Sequence, residues 1–385
     1  MLCGATCRRV PGTALTGTAP EGTGPEGTGP EGTGAFQYRF RLGPTRRAAW
    51  APFHLNGHLN GCYGRYVILG QITDIIVRVL PIILIIGLGN LIRARNLLSS
   101  QTVDELKWLV VNVALPAVLF IAFLDMDLET AFLGLFGTII LVCFVLLGYG
   151  YLLRRVLSVK YEYYPFLMTG FEFGMVGITL FGTAYGLSNV GYIAVVGLGH
   201  ELFIWFVFAT MLTAKRDGVS SFTGTLKNFA TSPLIIAILL ALILNLAGLG
   251  EWFRSMPVGV AVVETFDFLG GLLIPAILMI IGYGMRLSRQ GFREAIGVAV
   301  ARFVVLVPLA FFVSLVVVRR WLGLDPAFEA AVFTFFVVPP PYIVPLFMRK
   351  ELVEERVYAN NVLSVYTAIS LVVFIVYFAV NPTLG

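Results

Sequence analysis

The sequence predicts an all-α membrane protein, with ten transmembrane helices arranged as two inverted five-helix repeats. Three observations lead there: apolar runs of spanning length, basic residues alternating between successive loops, and proline positions that recur between the two halves. The 385-residue chain is 58% hydrophobic and only 13% charged, with a mean hydropathy of +0.86. Soluble domains average about half apolar and a quarter charged. A bilayer core about 30 Å thick needs roughly twenty apolar residues per helix. Segments of that kind recur at 72–92, 106–124, 129–153, 164–185, 189–213, 232–249, 258–284, 294–318, 327–348 and 358–380.

The segment before the first span is of another kind. Residues 1–66 hold PEGTG three times between Pro20 and Gly34, and HLNGHLNG between His54 and Gly61. Gly/Pro/Thr-rich repeats of this sort cannot bury a core and are expected to be disordered. No apolar stretch follows the early arginines, so a signal peptide is not expected. A mis-set translation start, with the functional chain beginning near Val67, is an alternative. The spacing of His54, His58 and Cys62 is read as a by-product of the duplication rather than a metal site. Residues 67–213 are read as the first repeat, 214–231 as a cytoplasmic linker and 232–385 as the second repeat.

The loops assign sidedness. Those after odd-numbered spans carry Arg93, Arg95, Lys107, Arg154, Arg155, Lys160, Lys215, Arg216, Lys227, Arg286, Arg289, Arg293, Arg349, Lys350 and Arg356, while the loops on the other side hold only Arg254, Arg319 and Arg320; the arginines of the N-terminal segment break the pattern. Cytoplasmic loops are enriched in Lys and Arg. The expectation is a multi-pass protein of the cell membrane with both termini outside. The net charge of +5 therefore belongs to topology, and no nucleic-acid partner is expected.

The repeat rests on paired segments. ALPAVLFIAF from Ala114 matches LIPAILMIIG from Leu273, with Pro116 and Pro275 in register. LPIILIIGLGNLI from Leu80 matches SPLIIAILLALIL from Ser232, aligning Pro81 with Pro233. An odd number of spans per unit inverts the second copy, a plan common in secondary transporters. Chance similarity of Leu/Ile-rich helices is the alternative.

Helix interruptions are expected in the fourth and ninth spans. FEFGMVGITLFG, Phe171 to Gly182, holds three glycines and a carboxylate, and FFVVPPPYIVPLF holds Pro339, Pro340, Pro341 and Pro345. Each proline lacks an N–H and clashes with the preceding turn. Freed backbone polar groups at membrane depth are tolerated only against protein or a watery cavity, and matching broken helices point to a transport site. The candidate substrate-binding residues are Asn112, Pro116, Glu172, Gly174, Gly177, Thr179, Pro339, Pro340, Pro341 and Tyr342. Ionisable groups at membrane depth are functional candidates, and Glu172, His200 and Glu201 are the candidates for proton coupling. The alternative is a structural bond from Glu172 to Arg302 or His200. Asn112 either borders the site or satisfies a neighbouring backbone group.

An ordered set of segments, ILIIGLGNLIRARNLLSS, LVVNVALPAVLFIAF, GITLFGTAYG, LGHELFIWF, SPLIIAILLALILNLAGL and LIPAILMIIGYGM, resembles the auxin efflux carrier family, the bacterial and archaeal relatives of the plant PIN carriers. The similarity covers about residues 72–380. It implies a scaffold half and a mobile half, crossing breaks in helices 4 and 9 with substrate beside them, and elevator-like export or exchange of organic anions. It also suggests a homodimer. The sequence departs from the family at Glu172, where the family often has asparagine, at Thr179, and at Tyr342, where no crossover asparagine stands.

The leading expectation is a secondary transporter of a small organic acid, coupled to protons. A cation/proton antiporter is the alternative. An intramembrane enzyme is not expected: there is no HExxH, Ser/His or paired-Asp arrangement, no P-loop and no cofactor motif.

Overall fold

The computed structural model describes residue 77 and residues 79–218, 222–285, 292–349 and 351–384. They belong to one compact unit within Gly57–Gly385. The N-terminal repeats, and the reading of them as a tail, lie outside the described residues.

Helix α1 covers Val79–Ala94 and α2 covers Ser100–Leu124. Ser99 caps α2, its hydroxyl accepting from the Thr102 N–H at 3.0 Å, which satisfies one of the N–H groups a helix start leaves free. Pro116 then forces an adjustment. It offers no N–H to the Asn112 carbonyl, and the turn Val110–Ala114 widens into a π-helix in which the Leu115 N–H reaches back to the Val110 carbonyl. Helix α3, Ala131–Val156, ends in Arg154 and Arg155, cations placed at the negative end of a helix dipole. After a four-residue helix at Tyr164–Leu167 comes a short α4, Phe173–Tyr185. Helix α5 runs Leu187–Asp217 and stops at Gly218, which takes the left-handed cap.

Helices α6, Thr223–Ala230, and α7, Pro233–Leu246, meet at a 63° bend; Pro233 opens α7. Helix α8 is Pro257–Gly284, α9 is Phe292–Leu322 and α11, the last helix, is Val353–Val380; between them lies α10, the short Ala327–Val337. Where α1 and α8 touch, Gly89 and Gly282 let the two backbones meet: a Cβ on either would collide with a carbonyl of the other helix. Arg93 extends from α1 to the end of α8, donating to the Tyr283 and Met285 carbonyls at 3.0 and 2.6 Å. At the other end of α2, the Asn245 amide on α7 donates to the Phe123, Leu124 and Met126 carbonyls at 2.9, 3.0 and 2.7 Å.

This architecture corrects the sequence-based fold. Among the described residues, six helices are long and apolar enough to cross a membrane, namely α2, α3, α5, α8, α9 and α11, or seven if the bent pair α6–α7 is one span. The expected spans at 164–185 and 327–348 are instead the shorter apolar helices α4 and α10, and the described part of the segment at 72–92 belongs to α1. Hydropathy measures apolar length, not backbone continuity, and glycine and proline end the helix inside an apolar run. Six or seven spans cannot be divided into two five-span repeats. The expected scaffold and elevator halves, with full-length helices 4 and 9 crossing, therefore give way to an all-α multi-helix bundle.

Candidate functional site

The chain leaves helical geometry in two places, and these meet. Between Leu167 and Phe173, Gly170 takes φ +72°, a conformation that L side chains rarely adopt. A Cβ there would lie 2.8 Å from Cγ of Pro341, so glycine serves both the turn and the contact. In the second interruption, Pro339, Pro340 and Pro341 remove the N–H groups that the carbonyls of Phe335, Phe336 and Val337 would accept in a continuing helix. The Val337 carbonyl is recovered by the buried Ser370 hydroxyl on α11 at 2.6 Å.

Glu172 joins the two segments from both its main chain and its side chain. Its N–H donates to the Pro339 carbonyl at 2.7 Å, and its Oε2 accepts from the Tyr342 N–H at 2.7 Å. The Tyr342 hydroxyl in turn shares a 2.8 Å hydrogen bond with Thr367 on α11. A buried backbone donor left unpaired costs about 1–3 kcal/mol, so this carboxylate compensates directly for the broken helix.

Two other ionisable side chains hold the same turn. Arg302 on α9 is fully buried. It donates to the Leu167 and Gly170 carbonyls at 3.2 and 2.9 Å and lies between the rings of Phe171 and Tyr366, 5.5 and 5.1 Å from their centroids. Carbonyls at a helix end and aromatic faces both favour a cation. His200 on α5 accepts from the Phe171 N–H through Nε2 at 2.9 Å. The neutral ring therefore carries its proton on Nδ1, 3.6 Å from Oε1 of Glu201. Glu201 also accepts from the Trp205 indole at 3.2 Å. Glu172 is thus bound to the Tyr342 backbone, and neither Arg302 nor His200 is its hydrogen-bond partner.

Beside this junction lies a cavity of about 400 Å³. Its walls come from the start of α2 (Ser100, Val103, Asp104, Lys107), the end of α8 and the residue after it (Ile280, Ile281, Tyr283, Gly284, Met285), the second interruption (Tyr342, Pro345, Leu346) and α11 (Asn360, Leu363, Ser364, Thr367), with Met175 from α4. Lys107 Nζ stands 6.0 Å from the Tyr342 ring centroid. A second cavity, of about 580 Å³, opens at the opposite ends of α2 and α8. Val118, Asp125, Asp127, Glu129, Tyr192, Arg254, Asp267, Gly270 and Asp325 are among its walls. Arg254 is engaged there by Asp125 at 2.5 and 2.9 Å.

Tyr342 lines the smaller cavity, whereas Glu172, Gly174 and Pro339 to Pro341 stand behind it, in the junction. Gly174 sits against Leu115, where a Cβ would come to 3.2 Å of the leucine. Gly177 and Thr179 lie within α4; Thr179 is fully buried and its hydroxyl has no hydrogen-bond partner among the described residues. Asn112 donates back to the Trp108 carbonyl at 2.8 Å, a local bond within α2, and Pro116 is buried beside it. His200 and Glu201 approach from the far side of the break. Sequence reasoning missed Lys107 and Asp104, which lie near a helix start and look like loop charges, and Ser370, whose partner is a carbonyl in a distant segment. Among the described residues, no group of three or more His, Cys, Asp or Glu is placed to hold a metal ion.

These features define a helical, largely apolar, multi-span membrane protein with an architecture of the transport type. No protein-family model matches the chain, and no curated protein matches it.

Proposed function

We propose that the protein is a secondary active transporter moving a small organic acid across the cell membrane by alternating access. One observation carries this reading: two cavities enter from opposite ends of α2 and α8, with a packed apolar stretch between them. Lys107 in one and Val118 in the other stand about 16 Å apart along α2, at about 1.5 Å rise per residue. Between them Val110, Ala114, Leu115 and Ala117 of α2 are buried, as are Leu273, Ala276 and Ile277 of α8, the helix that packs along α2. A solute held in the smaller cavity touches Tyr342, whose backbone is bound to Glu172, so occupancy and the state of that carboxylate are mechanically linked. Carboxylates at such depth suit proton exchange, and Glu172, with His200 and Glu201 behind it, is the proposed proton path.

On this reading the smaller cavity lies on the cytoplasmic side, where Arg93 donates to Tyr283 and Met285 of its wall, and the larger outside, in keeping with the enrichment of Lys and Arg in cytoplasmic loops. Kinship with the auxin efflux carriers is part of the proposal, on the strength of the ordered segments alone, as are a homodimer and a non-enzymatic role. The test is counterflow in proteoliposomes. Vesicles preloaded with unlabelled carboxylic acids are expected to accumulate the labelled acid, and no accumulation of any acid would refute the reading.

The second reading, a cation/proton antiporter, is favoured by the outer cavity, where Asp127, Glu129, Asp267 and Asp325 join the paired Asp125. Sodium-driven proton release from the same vesicles, without acid counterflow, would select it.

A further inference from the structure

We infer that the solute of the smaller cavity is a zwitterion of the amino-acid type, with a carboxylate and an ammonium on neighbouring atoms. The inference rests on the transport reading of that cavity and narrows it. Two charged residues line the cavity, Asp104 and Lys107, one of each sign. Among the described residues neither has a salt-bridge or hydrogen-bond partner, and Lys107 has only its approach to the Tyr342 ring. Residues three apart on a helix have Cβ atoms about 5–6 Å from each other. Two opposite charges so placed, yet not paired, form a receptor for a ligand that carries both.

Charge balance selects among small acids. A dicarboxylate would set two negative charges against one lysine, with Asp104 in the wall, and like charges at short range repel. A simple monocarboxylate would engage Lys107 and leave Asp104 without a ligand group. A zwitterion satisfies both, its carboxylate on Lys107 and its ammonium on Asp104, and adds no net charge. The remaining walls suit a side chain of mixed character: the hydroxyls of Ser364 and Thr367, the ring of Tyr283 and the apolar surface of Ile280. A volume of about 400 Å³ lies at the small end of ligand pockets, about 300–1,000 Å³.

The experiment is a thermal-shift titration of the purified full-length chain with L-amino acids, each beside its deamino acid and its decarboxylated amine, and with succinate. At least one amino acid is expected to raise the midpoint at concentrations where its two analogues and succinate do not. Asp104→Asn should reduce the preference for that amino acid over its deamino analogue by about tenfold, the worth of one charge-assisted hydrogen bond. Lys107→Gln should abolish the response to both. Deamino acids or succinate binding as well as the amino acids would overturn the zwitterion inference and leave the organic-acid transporter standing, as would an unchanged preference in Asp104→Asn. No response to any acid would remove both.

Discussion

The Glu172 side chain accepts from the Tyr342 N–H, and this sets what its replacements do. Glutamine keeps an acceptor oxygen for the Tyr342 N–H, so Glu172→Gln should unfold within a few degrees of the parent in detergent. Alanine leaves that N–H unpaired and should cost about 1–3 kcal/mol, read as a lower thermal midpoint. The same glutamine variant removes the titratable group. Its transport is expected to lose dependence on pH, and unchanged dependence would take Glu172 out of the proton's path. Much of this junction was hidden in the sequence. Three adjacent prolines announce an interruption in any setting, because each lacks an N–H. Nothing local tells that Ser370 returns a donor to Val337, that Asn245 gathers three carbonyls, or that Arg302 donates to main chain instead of a carboxylate. Backbone acceptors carry no sequence signature, so side chains that serve them resemble ordinary polar residues.

At the scale of elements, short polar ties fasten the helix ends outside the apolar region. Lys215, near the end of α5, meets Glu162, in the loop after α3, at 2.8 Å. The hydrogen bond from Lys215, followed by its charge, holds the Glu162 carboxyl below its ordinary range. A carboxyl whose folded value lies below its unfolded one stabilises the fold fully above the ordinary carboxylate range, and the contribution fades as pH falls through the depressed value. Both side chains are solvated in part, so the tie is worth less than about 1 kcal/mol. Parent and Glu162→Gln should therefore differ slightly in thermal midpoint at pH 7, and the difference should close on acidification below the carboxylate range. The elements also show why the span count went astray. Membrane residence and helical character are legible from apolar composition. Whether an apolar run stays one helix depends on where freed N–H and C=O groups find partners, and at the breaks beside α4 and α10 those partners lie between 29 and 170 positions away.

For the whole molecule, the arrangement of the two cavities makes sidedness measurable. In a background with its native cysteines replaced, Lys107→Cys should react with a membrane-impermeant thiol reagent added to inside-out vesicles, and Asp267→Cys should react in right-side-out vesicles. Either site reacting equally from both faces would mean a continuous pore rather than two separated chambers.

The buried guanidinium of Arg302 also bears on how the chain is made. An arginine at the centre of an isolated apolar helix opposes insertion by about 2.5–3.5 kcal/mol. The carbonyls that welcome it belong to Leu167 and Gly170, which leave the ribosome well before α9 does. Synthesis from the N-terminus thus prepares the berth before its occupant arrives, and a lesion in the 168–172 turn would surface first as a biogenesis defect, with α9 stalled at the translocon and the chain handed to proteolysis.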